Sequence, residues 1–346
     1  KWTLAALLTD VAAVAEAVVW QTGQTDIATA AEDALAAATG SRYVSVNKSV
    51  NRGSDAPTPQ QARQTKVEPP MNSTSRTLAI GPYSETDHRA LVDELGAVVL
   101  PGLAALADLP QRDRAGVEAL AYMGHAPLGG AQMDLLPALR VIANYGVGYD
   151  AIDVAAADAR GVVVTNTPDV LSEDVADLAV ALILAHARGL VAGAAHVATG
   201  GWARGRPLPL GRKVSGARVG ILGLGRIGRE IADRMAAFGC PIHYWSRSAK
   251  SVPPGWTAHE TPAALAAHSD FLVVALVGGR ETEGMVSAGV IGAMPRDAVL
   301  VNISRGSTVD EDALIEALAG GRIAGAALDV MRNEPDPDAR LLALPN

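Results

Sequence analysis

Short apolar runs alternate with amphipathic stretches along the chain from Thr77 onward. The pattern predicts two series of strands. The first series is residues 77–80, 97–100, 140–143 and 162–164, and the second is residues 218–222, 242–245, 271–275, 298–302 and 325–329. Helices that alternate with strands in this way cover parallel sheets. The chain is therefore predicted to form two α/β domains, the second with a doubly wound sheet.

One predicted helix, over residues 173–188, is apolar on more than one face. Val175, Leu178, Ala179 and Leu182 spread over a broad surface instead of a single stripe. A helix with this pattern is buried on several sides. Either a second subunit covers it, as in a homodimer, or its own chain does, and the pattern leaves both open.

The beginning of the chain differs from the rest. Residues 1–70 start with Lys and combine an Ala-rich stretch with a polar run that contains Pro, Ser and Gln. This composition predicts a helical extension and a linker of unknown role. Met71 shortly precedes the first predicted strand, so we expect the native protein to start there, while a genuine helical appendage is the alternative. The two predicted domains are residues 71–170 and 171–346.

Composition excludes several classes of function. The 346 residues carry a net charge of −8 and no cluster of Lys and Arg, so neither nucleic acid nor a membrane surface is an expected partner. No apolar stretch approaches the ~20 residues that span a bilayer. The single cysteine, Cys240, cannot form an internal disulfide, which favours a buried role and a reducing, cytoplasmic compartment. No metal is predicted, because no cluster of ligand residues has the spacing of a metal site.

A glycine-rich turn follows the predicted strand at residues 218–222. It has the sequence Gly223-Leu224-Gly225-Arg226-Ile227-Gly228 and leads into a predicted helix. Glycines in this context permit a tight turn and the close approach of a pyrophosphate to the N-terminus of the helix, which favours anions. The turn predicts a Rossmann-type dinucleotide site, with a purely structural turn as the alternative.

The residues after the next strand indicate which dinucleotide binds. An NAD site has Asp or Glu about 20 residues after the glycines, where it binds the ribose hydroxyls. This chain has Ser246, Arg247, Ser248 and Lys250 instead. Two cations and two hydroxyls suit a 2′-phosphate, so NADP(H) is predicted over NAD(H). The alternative is that the two cations belong to a solvated loop.

Several ordered motifs resemble one enzyme family. They are residues 302–306 (NISRG), 309–314 (VDEDAL), 327–330 (ALDV) and 333–335 (NEP), with residues 144–150 and 166–169 upstream. Over residues 77–346 the chain resembles the D-2-hydroxyacid dehydrogenases. Residues 238–247 are most similar to the NADPH-dependent glyoxylate, hydroxypyruvate and hydroxyphenylpyruvate reductases. The resemblance implies a Rossmann-type dinucleotide domain and a flavodoxin-like α/β substrate domain.

The resemblance also implies roles for individual residues. Arg305 would bind the substrate carboxylate and polarise the keto oxygen, and Glu334 would hydrogen-bond a histidine that acts as general acid. Asp329 would orient the nicotinamide ring. The predicted catalytic residues are therefore Arg305 and Glu334. Substrate contacts are expected from Met123, Gly124 and Arg305, and dinucleotide contacts from Gly223, Leu224, Gly225, Arg226, Ile227, Gly228, Ser246, Arg247, Ser248, Lys250, Ala275, Ile303 and Asp329.

The general acid is the point at which the sequence departs from the family pattern. The family places its histidine in a Pro-His segment after a stretch like residues 341–346, and none of the seven histidines lies in that motif. His125 lies in a loop that resembles the family's carboxylate-binding loop, but we do not expect it to replace the acid. These residues alone are expected to bind NADPH and to turn over poorly, since loss of a general acid costs ~10²–10⁴-fold in rate.

The predicted function of the complete gene product is NADPH-dependent reduction of a small 2-keto acid. Glyoxylate and hydroxypyruvate are the expected substrates, the product is the D-2-hydroxy acid, and hydroxyphenylpyruvate is the alternative substrate. A different class also fits the residues, namely a dinucleotide-sensing binding or co-repressor module that does not turn over.

Overall fold

A computed structural model describes residues 76–346 of the chain. The described residues divide into two compact units, the first ending at Pro168 and the second running from Asp169 to Asn346. The predicted extension at residues 1–70, its linker and Met71 lie outside the described residues. The three-part division expected from the sequence therefore stays a prediction.

The first unit contains a parallel sheet of five strands. These are β1 (Thr77–Ile80), β2 (Val98–Leu100), β3 (Ala119–Tyr122), β4 (Val141–Asn144) and β5 (Val163–Thr165), in the order β2-β1-β3-β4-β5. The helices are α1 (Glu85–Arg89), which continues as a π-helical turn over Ala90–Glu94, α2 (Ala105–Asp108), α3 (Gln111–Arg114), α4 (Gly130–Met133) and α5 (Val154–Asp158). This strand order is the flavodoxin-like one.

The second unit contains a parallel sheet of six strands. These are β6 (Val219–Leu222), β7 (Ile242–Trp245), β8 (Thr257–Ala258), β9 (Phe271–Val274), β10 (Val299–Asn302) and β11 (Gly325–Leu328), in the order β11-β10-β9-β6-β7-β8. The helices are α6 (Ser172–Arg188), α7 (Leu190–Ala198), α8 (Arg226–Ala237), α9 (Pro262–Ala267), α10 (Ala288–Ala293), α11 (Glu311–Ala319) and α12 (Ala339–Leu342), with a 3₁₀ turn at Gly306–Thr308. This is the strand order of the Rossmann fold.

The predicted fold class is confirmed, because both units are parallel sheets with helices around them. Strands β6, β9 and β10 are buried along their whole length, as expected of strands covered on both faces. Each predicted strand is present to within a residue or two. Two strands were not predicted, the central β3 and the short edge strand β8.

Helix α6 packs mainly against α8 and also contacts β10 and β11. The buried face of α6 consists of Ala176, Ala179, Ile183 and Ala187. Its own chain therefore buries one of the apolar faces that the sequence predicted to be covered. Leu178, on another face, is 37% exposed. Cys240 is buried, as predicted, and its thiol donates to the Val214 carbonyl (3.3 Å).

No single helix among residues 76–346 has both the length and the apolar composition needed to cross a bilayer. Helices α6 and α7, which meet at an angle of 57°, satisfy the length and composition criteria only when taken as a bent pair.

Candidate active site

The residues predicted to contact the dinucleotide lie at one edge of the second sheet. The strands are parallel, so their carboxyl ends meet at the same edge. The glycine turn follows β6, Ser246 follows β7, Ala275 follows β9, Ile303 follows β10 and Asp329 follows β11. Main-chain hydrogen bonds continue across this edge, from Gly223 N–H to the Trp245 carbonyl (3.0 Å) and from Asp329 N–H to the Asn302 carbonyl (3.0 Å).

The glycine turn lies where the chain order of the sheet reverses, between β6 and β9. Ligands of doubly wound sheets bind at this switch point. Gly223 has a φ of 105°, and a Cβ there would lie 2.6 Å from the Ala275 carbonyl oxygen. A Cβ on Gly228 would press on the Gly223 carbonyl, well inside the 3.0 Å that real Cβ atoms keep. Only glycine allows both approaches.

The N-terminus of α8 fits the phosphate group of a dinucleotide. No side chain caps this helix, since its N-cap is Gly225. A Cβ on Gly225 would meet no protein atom within 4 Å, which leaves open space in front of the first turn. Uncapped N–H groups facing open space form an anion site.

Two side chains of the turn point elsewhere. The side chain of Leu224 is buried in the core, so its main chain alone is available to a ligand. Arg226 pairs with Asp169 at 3.0 Å between Nε and Oδ1, and both side chains are 61% exposed. The backbone of the turn is therefore better placed for the anion than its side chains.

The predicted phosphate-binding loop after β7 contains a contact that sequence reasoning missed. The guanidinium of Arg247 pairs with the carboxylate of Glu281. Both side chains are about four-fifths exposed, at 82% and 79%. An exposed pair of this kind is worth only ~0–1 kcal/mol, so a doubly charged phosphate could displace Glu281. Ser248 and Lys250 are also exposed.

Arg305 lies at the end of β10, where buried polar side chains hold its main chain. Its carbonyl accepts hydrogen bonds from Asn302 Nδ2 (3.0 Å) and Thr308 Oγ1 (2.6 Å). The guanidinium is half-buried and donates to the Ser304 carbonyl (2.9 Å). The guanidinium is thus held at the carboxyl edge of the sheet. A guanidinium can donate two parallel hydrogen bonds to one carboxylate.

Asp329 and Glu334 flank a compact loop after β11. Both side chains are exposed, and Glu334 Oε1 accepts a hydrogen bond from the Met331 N–H (2.7 Å). Nearby, Arg332 and Arg340 lie beside Asp312 and hold the pKa of its carboxyl below the usual range. The loop is therefore rich in ion pairs around the predicted catalytic glutamate.

The predicted substrate loop belongs to the first unit. Met123 directly follows β3, and its N–H donates to the Ile80 carbonyl at the end of β1 (2.8 Å). Strands β1 and β3 form the switch point of this sheet, which is where a ligand is expected. Gly81 packs so closely on the Met123 carbonyl that a side chain would not fit. His125 is exposed in the same loop.

Three histidines pack together near β8, the last strand in the order of the second sheet. His243 Nδ1 lies 3.0 Å from His259 Nε2, and the His259 and His268 ring centroids are 4.9 Å apart. Burial and the neighbouring rings hold the pKa of His243 below its usual value. Across residues 76–346, no group of three or more His, Cys, Asp or Glu side chains is arranged to hold a metal ion.

Rossmann topology, the glycine turn at the switch point and the arginine beyond β10 together define a dinucleotide-dependent oxidoreductase. Comparison with known proteins gives the family. Residues 180–346 match the family model of the D-isomer specific 2-hydroxyacid dehydrogenase NAD-binding domain. The chain is 45% identical over 214 residues to hydroxyphenylpyruvate reductase of Plectranthus scutellarioides, covering 62% of this chain and 68% of that protein. It belongs to the D-isomer specific 2-hydroxyacid dehydrogenases.

Two further relatives support the assignment. The glyoxylate/hydroxypyruvate reductase A of Arabidopsis thaliana is 46% identical over 228 residues, which are 65% of this chain and 72% of the relative. The crystal structure of the NADPH-dependent glyoxylate/hydroxypyruvate reductase of Sinorhizobium meliloti, in complex with NADP and malonate, is similar with a TM-score of 0.73 and 40% identity. That match covers 78% of this chain and 84% of the other. The chain is thus an oxidoreductase whose cofactor is a nicotinamide dinucleotide.

The close approach at Gly228 leads to a test by substitution. We expect Gly228→Ala to destabilise the protein by ~1–3 kcal/mol, because the new methyl group is forced against the Gly223 carbonyl. Urea unfolding measures the change. Gly292→Ala is the matched control, since Gly292 also lies in a helix but a Cβ there meets no atom within 4 Å. Equal unfolding midpoints for Gly228→Ala and the parent protein would contradict the packing described above.

Proposed function

We propose that this protein reduces glyoxylate and hydroxypyruvate with NADPH, giving the 2-hydroxy acid, which has the D configuration where C2 becomes a stereocentre. The observation that carries the proposal is the position of Arg305 at the same sheet edge as the glycine turn. A cation with two parallel donors beside a dinucleotide site suits a substrate that has a carboxylate next to a carbonyl. Hydroxyphenylpyruvate is the alternative substrate, since one relative is named as its reductase.

The dinucleotide would be held by the turn Gly223–Gly228 and the loop from Ser246 to Lys250. A nicotinamide dinucleotide held by these residues would supply the hydride for reduction of the carbonyl carbon. Asp329, exposed at the end of β11, is proposed to bind the carboxamide and so to orient the ring. Ala275 and Ile303, at the ends of β9 and β10, would contact the dinucleotide from the sheet edge.

Arg305 is proposed to bind the substrate carboxylate and to polarise the keto oxygen. Its donors stabilise the negative charge that develops on this oxygen as the hydride arrives. Glu334 is proposed to accept a hydrogen bond from the general-acid histidine that the family resemblance implies, and to keep it protonated. Met123 and Gly124 are proposed to bind the substrate through their main chain.

The activity and the role of Arg305 are tested together. NADPH oxidation is followed with glyoxylate, hydroxypyruvate and hydroxyphenylpyruvate, using protein expressed from its full reading frame. We expect Arg305→Lys to lower kcat/KM by ~10²–10³-fold, because an ammonium keeps the charge but loses the fork of donors. Arg296→Lys, a change at an exposed arginine, is the control. An Arg305→Ala protein with parental kcat/KM would refute the assigned role.

The preference for NADPH is proposed to depend on Arg247. We expect Arg247→Ala to weaken NADPH binding by ~10- to 100-fold, the effect of a charge-assisted hydrogen bond worth ~1.5–3 kcal/mol, and to leave NADH binding unchanged. Glu281→Gln should strengthen NADPH binding, because it removes the carboxylate that pairs with Arg247. Titration calorimetry measures both dissociation constants. Equal weakening of NADPH and NADH binding would show that Arg247 does not contact the 2′-phosphate.

We also propose that the protein is a homodimer in the cytoplasm. Buried Cys240, the single cysteine of the sequence, fits a reducing compartment. Large apolar side chains are exposed on α7 and on the segment after it, and such side chains suit an interface between subunits. They are Leu190 (57%), Val191 (79%), Val197 (57%), Trp202 (75%) and Leu210 (100%).

Sedimentation velocity tests the dimer. The parent protein is expected to sediment as a dimer and Val191→Glu as a monomer, because a carboxylate would be desolvated at the interface. Leu342→Glu is the matched control, since Leu342 is 66% exposed on α12, away from α7 in the sequence. A monomeric parent protein, or a dimeric Val191→Glu variant, would contradict the proposal.

A further inference from the structure

One buried charge in the second unit has no part in the function proposed above. Glu311 is the first residue of α11 and only 3% of its surface is exposed. Burying a carboxylate costs more free energy than burying an apolar side chain of similar size. Helix α11 does not need Glu311 as its cap, because Asp310 provides the cap by accepting a hydrogen bond from the Ala313 N–H. Another contact must account for the buried carboxylate.

That contact is with the main chain of the loop after β11. Glu311 Oε2 accepts a hydrogen bond from the Arg332 N–H (2.8 Å). The other oxygen, Oε1, lies 3.7 Å from Arg332 Nε, and neither atom has a hydrogen-bond partner among residues 76–346. The strong contact of Glu311 is therefore with the Arg332 backbone, while its contact with the guanidinium is the weaker one.

The same stretch of loop is held from a second side. A Cβ on Gly306 would overlap the main-chain atoms of Met331 and Arg332, so the two backbones are in direct contact. Gly306 follows Arg305, the residue proposed to bind the substrate. One residue further along the loop from Arg332, the chain turns at Asn333 with a φ of 64° and reaches Glu334.

Glu334 takes its position from this anchored segment. Its Oε1 accepts a hydrogen bond from the Met331 N–H (2.7 Å), next to the amide that Glu311 holds. We propose that Glu311 is a positioning residue, whose buried carboxylate fixes the Arg332 main chain and thereby places Glu334 relative to Arg305. The inference rests on the proposed function, since it gives the mechanism by which the support of the general acid is held in place.

A positioning role predicts a specific kinetic change. Displacement of Glu334 should lower kcat by about 10- to 100-fold, because small misplacements of a catalytic group are costly, and leave KM near the parental value, because Arg305 is retained. The general acid would also lose its carboxylate neighbour, and its pKa would fall. Reduction needs the protonated acid, so the alkaline decline in rate would begin at a lower pH.

The test compares substitutions at Glu311 in protein expressed from its full reading frame. Glu311→Ala removes the acceptor. Glu311→Asp keeps the charge on a side chain that is one methylene group shorter, and it provides a second test if the Ala variant does not fold. Glu311→Gln retains an oxygen acceptor for the Arg332 N–H and should rescue most of the activity. Glu316→Gln, on the exposed face of the same helix, is the control. Amide hydrogen exchange of residues 329–336, measured without substrate, reports the loop directly.

We expect faster exchange confined to residues 329–336, together with lower kcat and the shifted pH profile, in Glu311→Ala and Glu311→Asp only. Parental kcat and exchange in both variants would overturn the inference while leaving the reductase assignment intact. Faster exchange throughout residues 169–346 would overturn it as well, because it would mean that Glu311 merely stabilises the fold. Absence of keto-acid reduction by the parent protein would reject the proposed function itself, and the inference with it.

Discussion

Close backbone contacts at glycines hold the carboxyl edge of the second sheet together. Gly223 approaches the Ala275 carbonyl, Gly228 approaches the Gly223 carbonyl, and Gly306 approaches the main chain at Met331. Each contact excludes even a methyl group. The first two bring β6, β9 and α8 close together beside the open space at Gly225, and the third joins the Arg305 turn to the loop that carries Glu334.

Parallel strand direction explains why these contacts gather functional residues. Chain segments more than a hundred residues apart, from the glycine turn to the loop that carries Glu334, leave the sheet at the same edge. Buried polar side chains then define the main chain where the sheet ends, as Asn302 and Thr308 do for Arg305. A buried polar group that is fully paired favours one arrangement over its competitors. Glu311 also fixes a main-chain group, the Arg332 amide, although it does so through only one of its two oxygens.

Most of this architecture could be predicted from residue patterns, and the omissions have physical causes. Strand β3 (Ala119–Tyr122) was missed because its two alanines favour helix and it lacks β-branched residues, whereas pairing with β1 and β4 on both sides makes it a strand. Strand β8 has only two residues, both exposed, and offers no apolar pattern. Local propensity gives no information about such pairing.

The candidate site shows the same limit. Motif order made Arg305, Asp329 and Glu334 candidates, and the glycine spacing made the turn a candidate for the dinucleotide. Two contacts were missed because they join distant parts of the chain. Arg247 and Glu281 are 34 positions apart, and Glu311 and Arg332 are 21 positions apart. The residue pattern did not predict exposed apolar side chains on α7. It left open only whether a second subunit or the chain itself buries α6. Contacts between distant segments become visible only once the sheet order is known.

If this chain belongs to an enzyme that reduces a 2-keto acid with NADPH, its product identifies it. The most direct measurement incubates protein from the full reading frame with NADPH and hydroxypyruvate, follows NADPH consumption and analyses the glyceric acid formed by chiral chromatography. We expect stoichiometric consumption of NADPH and formation of the D-enantiomer. Tight NADPH binding without consumption, or formation of the L-enantiomer, would contradict it.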